Sequence, residues 1–323
     1  MNVLVIGGAG YIGSHIVYEL IDNDHNVTVL DNLSTGRIEN ISPDANLVVG
    51  DMNDLGLLNI LLRRDEKFDS VFHFAALKAA GESMDKPEKY TLNNTIATLN
   101  LLNVLLENDI KNFVFSSSAA TYGNPEYLPI NESHPNKPIN YYGFTKLAIE
   151  QTLAWYSQLK GLRFAALRYF NAAGYDIDGR IRGKEQNPAN LLPIVMEVAT
   201  GDRKKMQVYG KDYPTRDGSC IRDYIHVKDL ATAHVKAMEY LRTENEDLVL
   251  NLATGEGYTV LEVIKEVETV VGFPINYEIS GRREGDPAEL VATSSLAYEK
   301  IGWKAEYSDL NTLVKSMWKI YRS

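Results

Sequence analysis

A serine, a tyrosine and a lysine are spaced along this sequence in a way that suits proton transfer. An apolar run ends in Ser116, Ser117 and Ser118, and Tyr142 follows 24 residues after Ser118, with Lys146 one helical turn later. A tyrosine with its ordinary pKa of about 10 acts as a base near neutral pH only if positive charge lowers that pKa. Lys146 supplies such a charge, because residues four apart share a helical face. We predict Tyr142 as general acid/base, Lys146 as the group that lowers its pKa, and Ser118 as the group that orients the reacting hydroxyl.

The Tyr-x-x-x-Lys spacing also occurs at Tyr156/Lys160 and Tyr224/Lys228. Only the Tyr142 pair follows closely on a serine-tipped apolar run, so we interpret the Tyr156 pair as helix surface. The six histidines do not cluster at metal-ligand spacings, and the sequence has no G-x-S-x-G motif. The sequence therefore predicts neither a metal site nor acyl transfer.

The first residues carry a glycine-rich turn of the kind that binds a dinucleotide. The apolar run Val3–Ile6 leads into Gly7, Gly10 and Gly13 at G-x-x-G-x-x-G spacing, and a helical pattern follows. Such glycines permit a tight turn and bring backbone N–H groups close to a pyrophosphate. Asp31 ends the next apolar run, where its carboxylate can accept both ribose hydroxyls and would repel a 2′-phosphate. The sequence therefore predicts an NAD site, and oxidised nicotinamide would supply a second positive charge beside Tyr142.

Apolar runs and helical patterns alternate through the first half of the chain. The predicted strands are Val3–Ile6, Val27–Leu30, Leu47–Val49, Ser70–Phe74, Asn112–Phe115 and Phe164–Leu167. The predicted helices are Ile12–Ile21, Leu55–Leu62, Thr95–Glu107 and Tyr142–Gln158. This alternation predicts an α/β fold with a Rossmann-like, doubly wound parallel sheet covered on both faces.

The composition changes after Arg168. The segment Asn171 to Pro193 is rich in Gly, Asp, Arg and Pro and is too long for a connector, so we expect a functional loop there. A helix at Val227–Leu241 and a strand at Leu248–Leu252 then resume the α/β pattern. We predict an NAD-binding domain at residues 1–170, to which the chain returns at about 221–253, and a smaller interleaved substrate-binding lobe within residues 171–323.

Composition limits the partners of the chain. A net charge of −10 over 323 residues argues against non-specific binding to nucleic acid or to a membrane surface. The single cysteine, Cys220, excludes an intramolecular disulfide and fits a reducing compartment. The first six residues lack basic side chains, so we do not expect a signal peptide, and no apolar stretch approaches the about 20 residues that span a bilayer. We expect a cytoplasmic protein.

Several motifs together resemble the extended short-chain dehydrogenase/reductase superfamily. They are Gly7–Gly13, His73–Lys78, Ser116–Ser118, Tyr141–Lys146 and Arg168–Asn171. Within that superfamily the chain is similar, over essentially its whole length, to the UDP-glucose 4-epimerase family. The more specific segments of that resemblance are Asp212–Gly218, Arg222–Val227 and Arg282–Asp286. The resemblance implies an isomerase that inverts C4 of a UDP-hexose through a 4-keto intermediate and retains its NAD.

The resemblance also implies site residues. Besides the three glycines, NAD would contact Tyr11, Ile12, Asp31, Asn32, Asp51, Met52, Phe74, Ala75, Lys78, Asn93, Tyr142, Lys146 and Phe170. The UDP-sugar would contact Ser118, Tyr142, Asn171, Asn190, Leu191, Gln207, Val208, Tyr209, Arg222, Arg283 and Asp286. Arginines can bind a diphosphate bidentately, and the ring of Tyr209 offers a face for uracil. By the same resemblance the protein would be a homodimer that packs through helices Thr95–Glu107 and Tyr142–Gln158.

Other activities on the same fold need different residues at a few positions of this sequence. A nucleotide-sugar 4,6-dehydratase needs an acid–base pair directly after the serine position, where this chain has Ala119 and Ala120, so we exclude it. Epimerases of UDP-N-acetylglucosamine, UDP-pentoses or UDP-glucuronate stay open. In the family, tyrosine at the position of Leu290 restricts the sugar to glucose and small residues admit N-acetyl groups; leucine matches neither pattern. A catalytically inactive NAD-sensing regulator would be expected to lose Tyr142 or Lys146, and both are present.

Overall fold

Strands and helices alternate along the first half of the chain, as the apolar pattern predicts. The structure is a computed structural model that describes residues 1–63, 66–185, 188–283 and 285–323. The first six strands are β1 (Asn2–Ile6), β2 (Asn26–Asp31), β3 (Asn46–Val49), β4 (Ser70–His73), β5 (Asn112–Ser116) and β6 (Arg163–Tyr169). The helices between them are α1 (Tyr11–Asp22), α2 (Leu55–Leu62), α3 (Ala80–Asp85), α4 (Pro87–Tyr90), α5 (Ala97–Glu107) and α6 (Tyr141–Lys160). A wide helical turn, Thr91–Ile96, joins α4 to α5.

The second half of the chain has shorter strands and longer connections. Its strands are β7 (Asn171–Ala173), β8 (Met206–Tyr209), β9 (Ile221–Arg222), β10 (Tyr224–His226), β11 (Leu248–Leu252), β12 (Tyr258–Thr259), β13 (Tyr277–Ser280) and β14 (Glu289–Leu290). Its helices are α7 (Leu191–Thr200), α8 (Val227–Glu244), α9 (Val260–Val271), α10 (Ser295–Ile301) and α11 (Leu310–Tyr321).

In the described part of the chain, seven parallel strands form the central sheet in the order β11-β6-β5-β4-β1-β2-β3. The strand order reverses between β1 and β4, so the crevice at their carboxyl ends is the place where such sheets bind ligands. The predicted doubly wound parallel sheet is confirmed. Its seventh strand, β11, pairs with β6 from Leu248↔Ala165 to Leu252↔Tyr169, so the chain returns to the sheet after residue 170.

Helices cover both faces of this sheet. One hydrophobic core packs α1 and α8 against the sheet, and a second core packs α2, α5 and α6 against the opposite face. The central strands are buried on both sides, which is why they are continuous apolar runs in the sequence and do not alternate.

A third hydrophobic core lies outside the central sheet. Residues of α7, α9 and α11 pack there against β8. Two small sheets border this core, one formed by β13 and β8 and the other by β12, β9 and β14. These elements form the smaller C-terminal lobe.

The prediction of one irregular segment from Asn171 to Pro193 is partly wrong. Residues Asn171–Ala173 form β7, which pairs with β10, and α7 already begins at Leu191. The partner of β7 is Tyr224–His226, more than fifty residues away in the sequence, so a local pattern could not reveal the pairing. Within the described residues, no helix is both long enough and apolar enough to cross a membrane.

Asp229 connects the first turn of α8 to the C-terminal segment of the chain. Its buried carboxylate accepts hydrogen bonds from the backbone N–H groups of Glu306 (2.9 Å) and Tyr307 (2.9 Å) and from the hydroxyl of Ser308 (2.5 Å). The indole Nε1 of Trp303 donates to the Asp229 carbonyl oxygen at 2.9 Å. One residue therefore fixes the segment that leads into α11.

We expect Asp229→Ala to lower the free energy of unfolding by about 3 kcal/mol, because it leaves buried N–H and O–H donors without an acceptor. Urea denaturation followed by circular dichroism measures this loss. The exposed Glu299→Ala is the control and should change stability by less than about 0.5 kcal/mol. Equal stability of the two variants would contradict the role given to Asp229.

Candidate active site

The glycine turn after β1 leaves space for a ligand at the start of α1. Gly7 has a φ of 83°, which a side chain would strain, and a Cβ there would lie 2.5 Å from the backbone nitrogen of Ala75. A Cβ at Gly13 would overlap the carbonyl oxygen of Gly7, so α1 packs directly on the turn. The free N–H groups of the first turn of α1 suit a pyrophosphate.

Two carboxylates lie at the far end of the crevice. Asp31, the last residue of β2, is buried, and its carboxylate accepts the backbone N–H groups of Ala9 (2.9 Å) and Leu33 (2.8 Å). Each of its oxygens keeps lone pairs that can accept a ribose hydroxyl. Hydrogen bonds from the Asn53 backbone and from the Asn32 side chain lower the pKa of Asp51, which is therefore ionised at neutral pH.

A cavity of about 760 Å³ runs along the carboxyl ends of the central strands. Every residue predicted to contact NAD lines it. These are Gly7, Gly10, Tyr11, Ile12, Gly13, Asp31, Asn32, Asp51, Met52, Phe74, Ala75, Lys78, Asn93, Tyr142, Lys146 and Phe170. The substrate-site candidates Ser118, Asn171 and Asn190 line the same cavity. The glycine turn, the paired carboxylates and the shape of this cavity fit a bound NAD.

The predicted catalytic residues meet at the middle of this cavity. The side chain of Asn140 caps α6 by accepting the Gly143 N–H at 2.8 Å, so Tyr142 lies in the first turn of the helix. A Cβ at Gly143 would overlap the carbonyl oxygen of Ala120, so α6 begins in contact with the turn that follows Ser118. This close approach brings Tyr142 beside Ser118.

Lys146 is buried one turn further along α6. Its ammonium nitrogen donates to the carbonyl oxygen of Ser116 at 2.7 Å and lies 5.9 Å from the ring centroid of Tyr142. The ring of Phe115 lies beneath the ammonium, with 4.7 Å between the nitrogen and the ring centroid. The lysine is therefore held between the end of β5 and the candidate base.

Burial changes the acidity of both groups. Burial raises the pKa of Tyr142, and a hydrogen bond from Ser118 acts in the opposite direction. Burial lowers the pKa of Lys146 to about 7, although the nearby carboxylate of Glu150 acts to raise it. A buried phenol ionises near neutral pH only with positive charge beside it, and Lys146 provides one such charge.

The segment Gly183–Glu185 lies in the functional loop expected from Asn171 to Pro193, but the sequence did not predict that it forms a wall of the cavity. Lys78 forms an ion pair with Glu185, and the guanidinium Nε of Arg37 donates to the Lys184 carbonyl oxygen at 2.9 Å. The side chain of Asn40 accepts the Gly183 N–H at 2.7 Å. The composition predicts a loop, but irregular backbone held by scattered partners has no periodic pattern that indicates which of its residues line the cavity.

A second cluster lies in the C-terminal lobe. Arg222 approaches Asp286 at 3.3 Å, and Arg283 lies 4.0 Å from the same carboxylate. The guanidinium of Arg283 stacks over the ring of Tyr209, with 4.3 Å between its carbon and the ring centroid. The side-chain amide and the backbone N–H of Asn171 donate to the carbonyl oxygen of Asp223 at 2.9 Å and 3.2 Å, which links the central cavity to the strand that carries Arg222.

The remaining substrate-site candidates are less close to the central cavity. Leu191 begins α7 and Gln207 donates to Glu278 at 3.2 Å, on the β8–β13 ribbon. Val208 packs its side chain into the core of the C-terminal lobe, so only its backbone could contact a ligand. Leu290 packs beside Ala119 and Phe170. The residue at position 284, inside the Arg282–Asp286 motif, lies outside the described residues.

A family model, a curated relative and two solved structures point to the same family. The sequence model of the NAD dependent epimerase/dehydratase family matches residues 3–253. The UDP-glucose 4-epimerase of Halalkalibacterium halodurans is 48% identical over 323 residues, which cover 100% of this chain and 96% of that protein.

Two solved structures superpose closely on the chain. The crystal structure of UDP-glucose 4-epimerase from Brucella ovis in complex with NAD has a TM-score of 0.96 at 43% identity and covers 99% of this chain and 98% of its own. The UDP-glucose-4-epimerase from Stenotrophomonas maltophila, with bound NAD and formylated UDP-arabinopyranose, has a TM-score of 0.95 at 39% identity. That match covers 100% of this chain and 98% of the other.

Proposed function

The chain belongs to the NAD dependent epimerase/dehydratase family, and we propose that it interconverts UDP-glucose and UDP-galactose by inverting C4 of the hexose, with NAD as cofactor. The observation that carries this proposal is the convergence of Ser118, Tyr142 and Lys146 on one cavity with the glycine turn and Asp31. This arrangement supports an acid–base group beside a dinucleotide site.

The proposed chemistry assigns one task to each side chain. Tyr142, as phenolate, accepts the proton of the sugar 4-hydroxyl, and Ser118 orients that hydroxyl and relays the proton. Lys146 stabilises the phenolate. NAD, when bound, takes up the hydride of C4 and later gives it back. Tyr142 then returns the proton to the 4-keto sugar after the sugar has presented its other face, so C4 is inverted with no net oxidation.

Inversion requires tight binding of the nucleotide and weak binding of the sugar. We assign the diphosphate to Arg222 and Arg283, which lie on either side of Asp286 and can each offer two parallel N–H donors. The ring of Tyr209 offers its face to the uracil, while Asn171 and Asn190 line the same cavity as Tyr142. In this proposal residues 1–170 and the return at 221–253 hold NAD, and the interleaved lobe within 171–323 holds the UDP-sugar.

Incubation of the purified protein with UDP-galactose, UDP-glucose and their N-acetylated analogues, followed by chromatography, tests the activity. We expect interconversion of the two hexoses. Tyr142→Phe should keep its bound NAD and lose about 10²-fold or more in turnover, because general acid–base catalysis is removed. Tyr156→Phe, in the second Tyr-x-x-x-Lys pair of the same helix, removes only a hydroxyl bonded to Asn103 at 3.0 Å and is the matched control. Near-normal turnover of Tyr142→Phe would remove this residue from the mechanism.

We propose that Leu290 limits the width of the sugar site. It ends β14, is half-buried, and packs in one cluster with Ala119, which follows the candidate Ser118, and with Phe170, which lines the cavity. Its backbone is held by the strand pairing with Arg222 and by the Asp223 N–H, which donates to its carbonyl oxygen at 3.2 Å. In this proposal a larger side chain on this fixed backbone narrows the sugar site.

We expect Leu290→Tyr to reduce kcat/KM for N-acetylated UDP-hexoses about tenfold more than for UDP-glucose, because the acetamido group is the bulkier substituent. The volume-conserving Leu290→Met should change kcat/KM for the two substrate classes to the same extent. Parallel assays of the two variants with both substrate classes measure the ratio. An equal loss of kcat/KM for both substrate classes in Leu290→Tyr would contradict the role given to Leu290.

We propose further that two copies of the chain associate through α5 and α6. The outward face of α6 exposes Trp155 (61%) and Leu159 (68%), one helical turn apart, and Leu92 and Ile96 are exposed on the turn that leads into α5. Exposed apolar side chains on α6 and on the turn before α5 suit a helical interface with a second copy. We also propose a cytoplasmic location, since the single cysteine fits a reducing compartment.

The double variant Trp155→Glu/Leu159→Glu should be monomeric in sedimentation equilibrium, whereas the unaltered protein should be a dimer at micromolar concentration. Ile60→Glu is the matched control, because Ile60 is 76% exposed on α2 and lies outside the proposed interface. A monomeric unaltered protein, or a double variant that is still dimeric, would contradict this interface.

A further inference from the structure

Three consecutive serines at the end of β5 contact three successive turns of α6. In Ser116–Ser118, the first residue accepts a hydrogen bond from Lys146 at 2.7 Å, the second donates its hydroxyl to Glu150, and the third bonds to Tyr142. Positions 142, 146 and 150 are four apart, so the three side chains lie on one face of the helix. Two of them belong to the proposed mechanism. Glu150 so far has no role in it.

Glu150 is a buried carboxylate in a fixed geometry. Its side chain is 5% exposed. Besides the Ser117 hydroxyl, it accepts two parallel hydrogen bonds from Arg168, one from Nε at 2.9 Å and one from Nη2. The guanidinium of Arg168 in turn lies over the ring of Tyr122, 4.8 Å from its centroid. A bidentate pair locked in this way holds its negative charge at one place.

The other groups around Lys146 carry no negative charge. His73 on β4 is neutral, because burial lowers its pKa to about 3. Tyr169 on β6 keeps its proton, because burial raises its pKa. On β5, the ring of Phe115 and the Ser116 carbonyl face the ammonium group. Of the side chains that the described residues place around Lys146, the Glu150 carboxylate is therefore the one that opposes the cost of burying the ammonium charge.

Resting on the function proposed above, we propose that Glu150 is a positioning residue that holds the positive charge on Lys146 while Tyr142 transfers the proton. Ser117 and Arg168 keep its carboxylate in place. The charge acts through space, one helical turn away from the ammonium group, and Glu150 itself contacts neither substrate nor cofactor in this assignment.

The direction of the pH effect follows from this arrangement. Burial lowers the pKa of Lys146 to about 7 and Glu150 acts to raise it, so removing the negative charge must lower the pKa further. The ammonium form is present below that pKa and is lost above it. Without Glu150, Lys146 therefore becomes neutral at a lower pH, and Tyr142 keeps its proton to a higher pH.

The first test compares NAD-loaded unaltered enzyme with Glu150→Gln. We expect the high-pH limb of the kcat profile to move at least about one unit toward acid, and kcat at about pH 8 to fall at least about tenfold. Titration of the tyrosinate absorbance, taken as the difference between each protein and its Tyr142→Phe derivative, gives a readout that does not need turnover. That titration should move toward alkaline pH. An unchanged limb and an unchanged titration overturn the proposal.

Glu150→Gln leaves the guanidinium of Arg168 buried without a partner and can prevent folding. The double variant Glu150→Gln/Arg168→Met removes both charges together, so it should fold and should show a smaller shift in the same direction. Glu150→Asp keeps the charge and should retain most of the original profile. The proposal is overturned if the double variant folds and keeps the high-pH limb of the unaltered enzyme's kcat profile. It is also overturned if the Glu150→Asp profile shifts as far as that of Glu150→Gln.

Glu239→Gln, an exposed glutamate on α8, is the control for the substitution itself and should leave the profile unchanged. The same assays distinguish failure of the proposed function from failure of the role given to Glu150. Inactivity of the unaltered enzyme toward UDP-galactose overturns the proposed function and, with it, the role of Glu150. If the unaltered enzyme is active but the pH profiles of the variants are not shifted, only the role of Glu150 is overturned.

Discussion

A lysine ammonium group buried at the end of a parallel sheet is the constraint on which this site depends. Desolvation disfavours the charge, so the protein must supply a hydrogen-bond acceptor, polarisable surroundings and an opposite charge. The Ser116 carbonyl, the Phe115 ring and the Glu150 carboxylate supply them from β5 and α6. Arg168, which holds the Glu150 carboxylate, comes from β6, and β6 pairs with β5 in one register from Asn112↔Arg163 to Ser116↔Leu167.

The central sheet also explains why the two ligand sites are built differently. The cofactor candidates follow the carboxyl ends of strands that meet at one edge, so a single long cavity contains all of them. Most substrate candidates in the C-terminal lobe lie on short strands and loops, where Arg222 on β9 approaches the segment that carries Arg283 and Asp286. A rigid sheet edge suits a cofactor that stays bound, and surface segments suit a substrate that enters, turns over and leaves.

Features with a local physical cause were predictable from the sequence. The apolar runs predicted all six strands of the first half. Five of them are buried in the sheet, where apolar side chains are needed throughout, whereas β3 lies at the edge and is partly exposed. The spacing of Tyr142 and Lys146 gave their common helical face. Features that depend on distant partners were not predictable, such as β7, the wall formed by Gly183–Glu185, and the core position of the Val208 side chain. Glu150 has the same four-residue spacing from Lys146, but its importance becomes visible only with the guanidinium that holds it.

The strand β11 has a consequence for how the chain is made. It pairs with β6, yet some eighty residues that include much of the smaller lobe separate the two strands in the sequence. While the chain emerges from a ribosome, the outer hydrogen-bonding edge of β6 thus waits unpaired until β11 has been synthesised. Open strand edges are templates for wrong pairing. The interval between these two strands is therefore a stage of synthesis at which the nascent chain exposes an open strand edge.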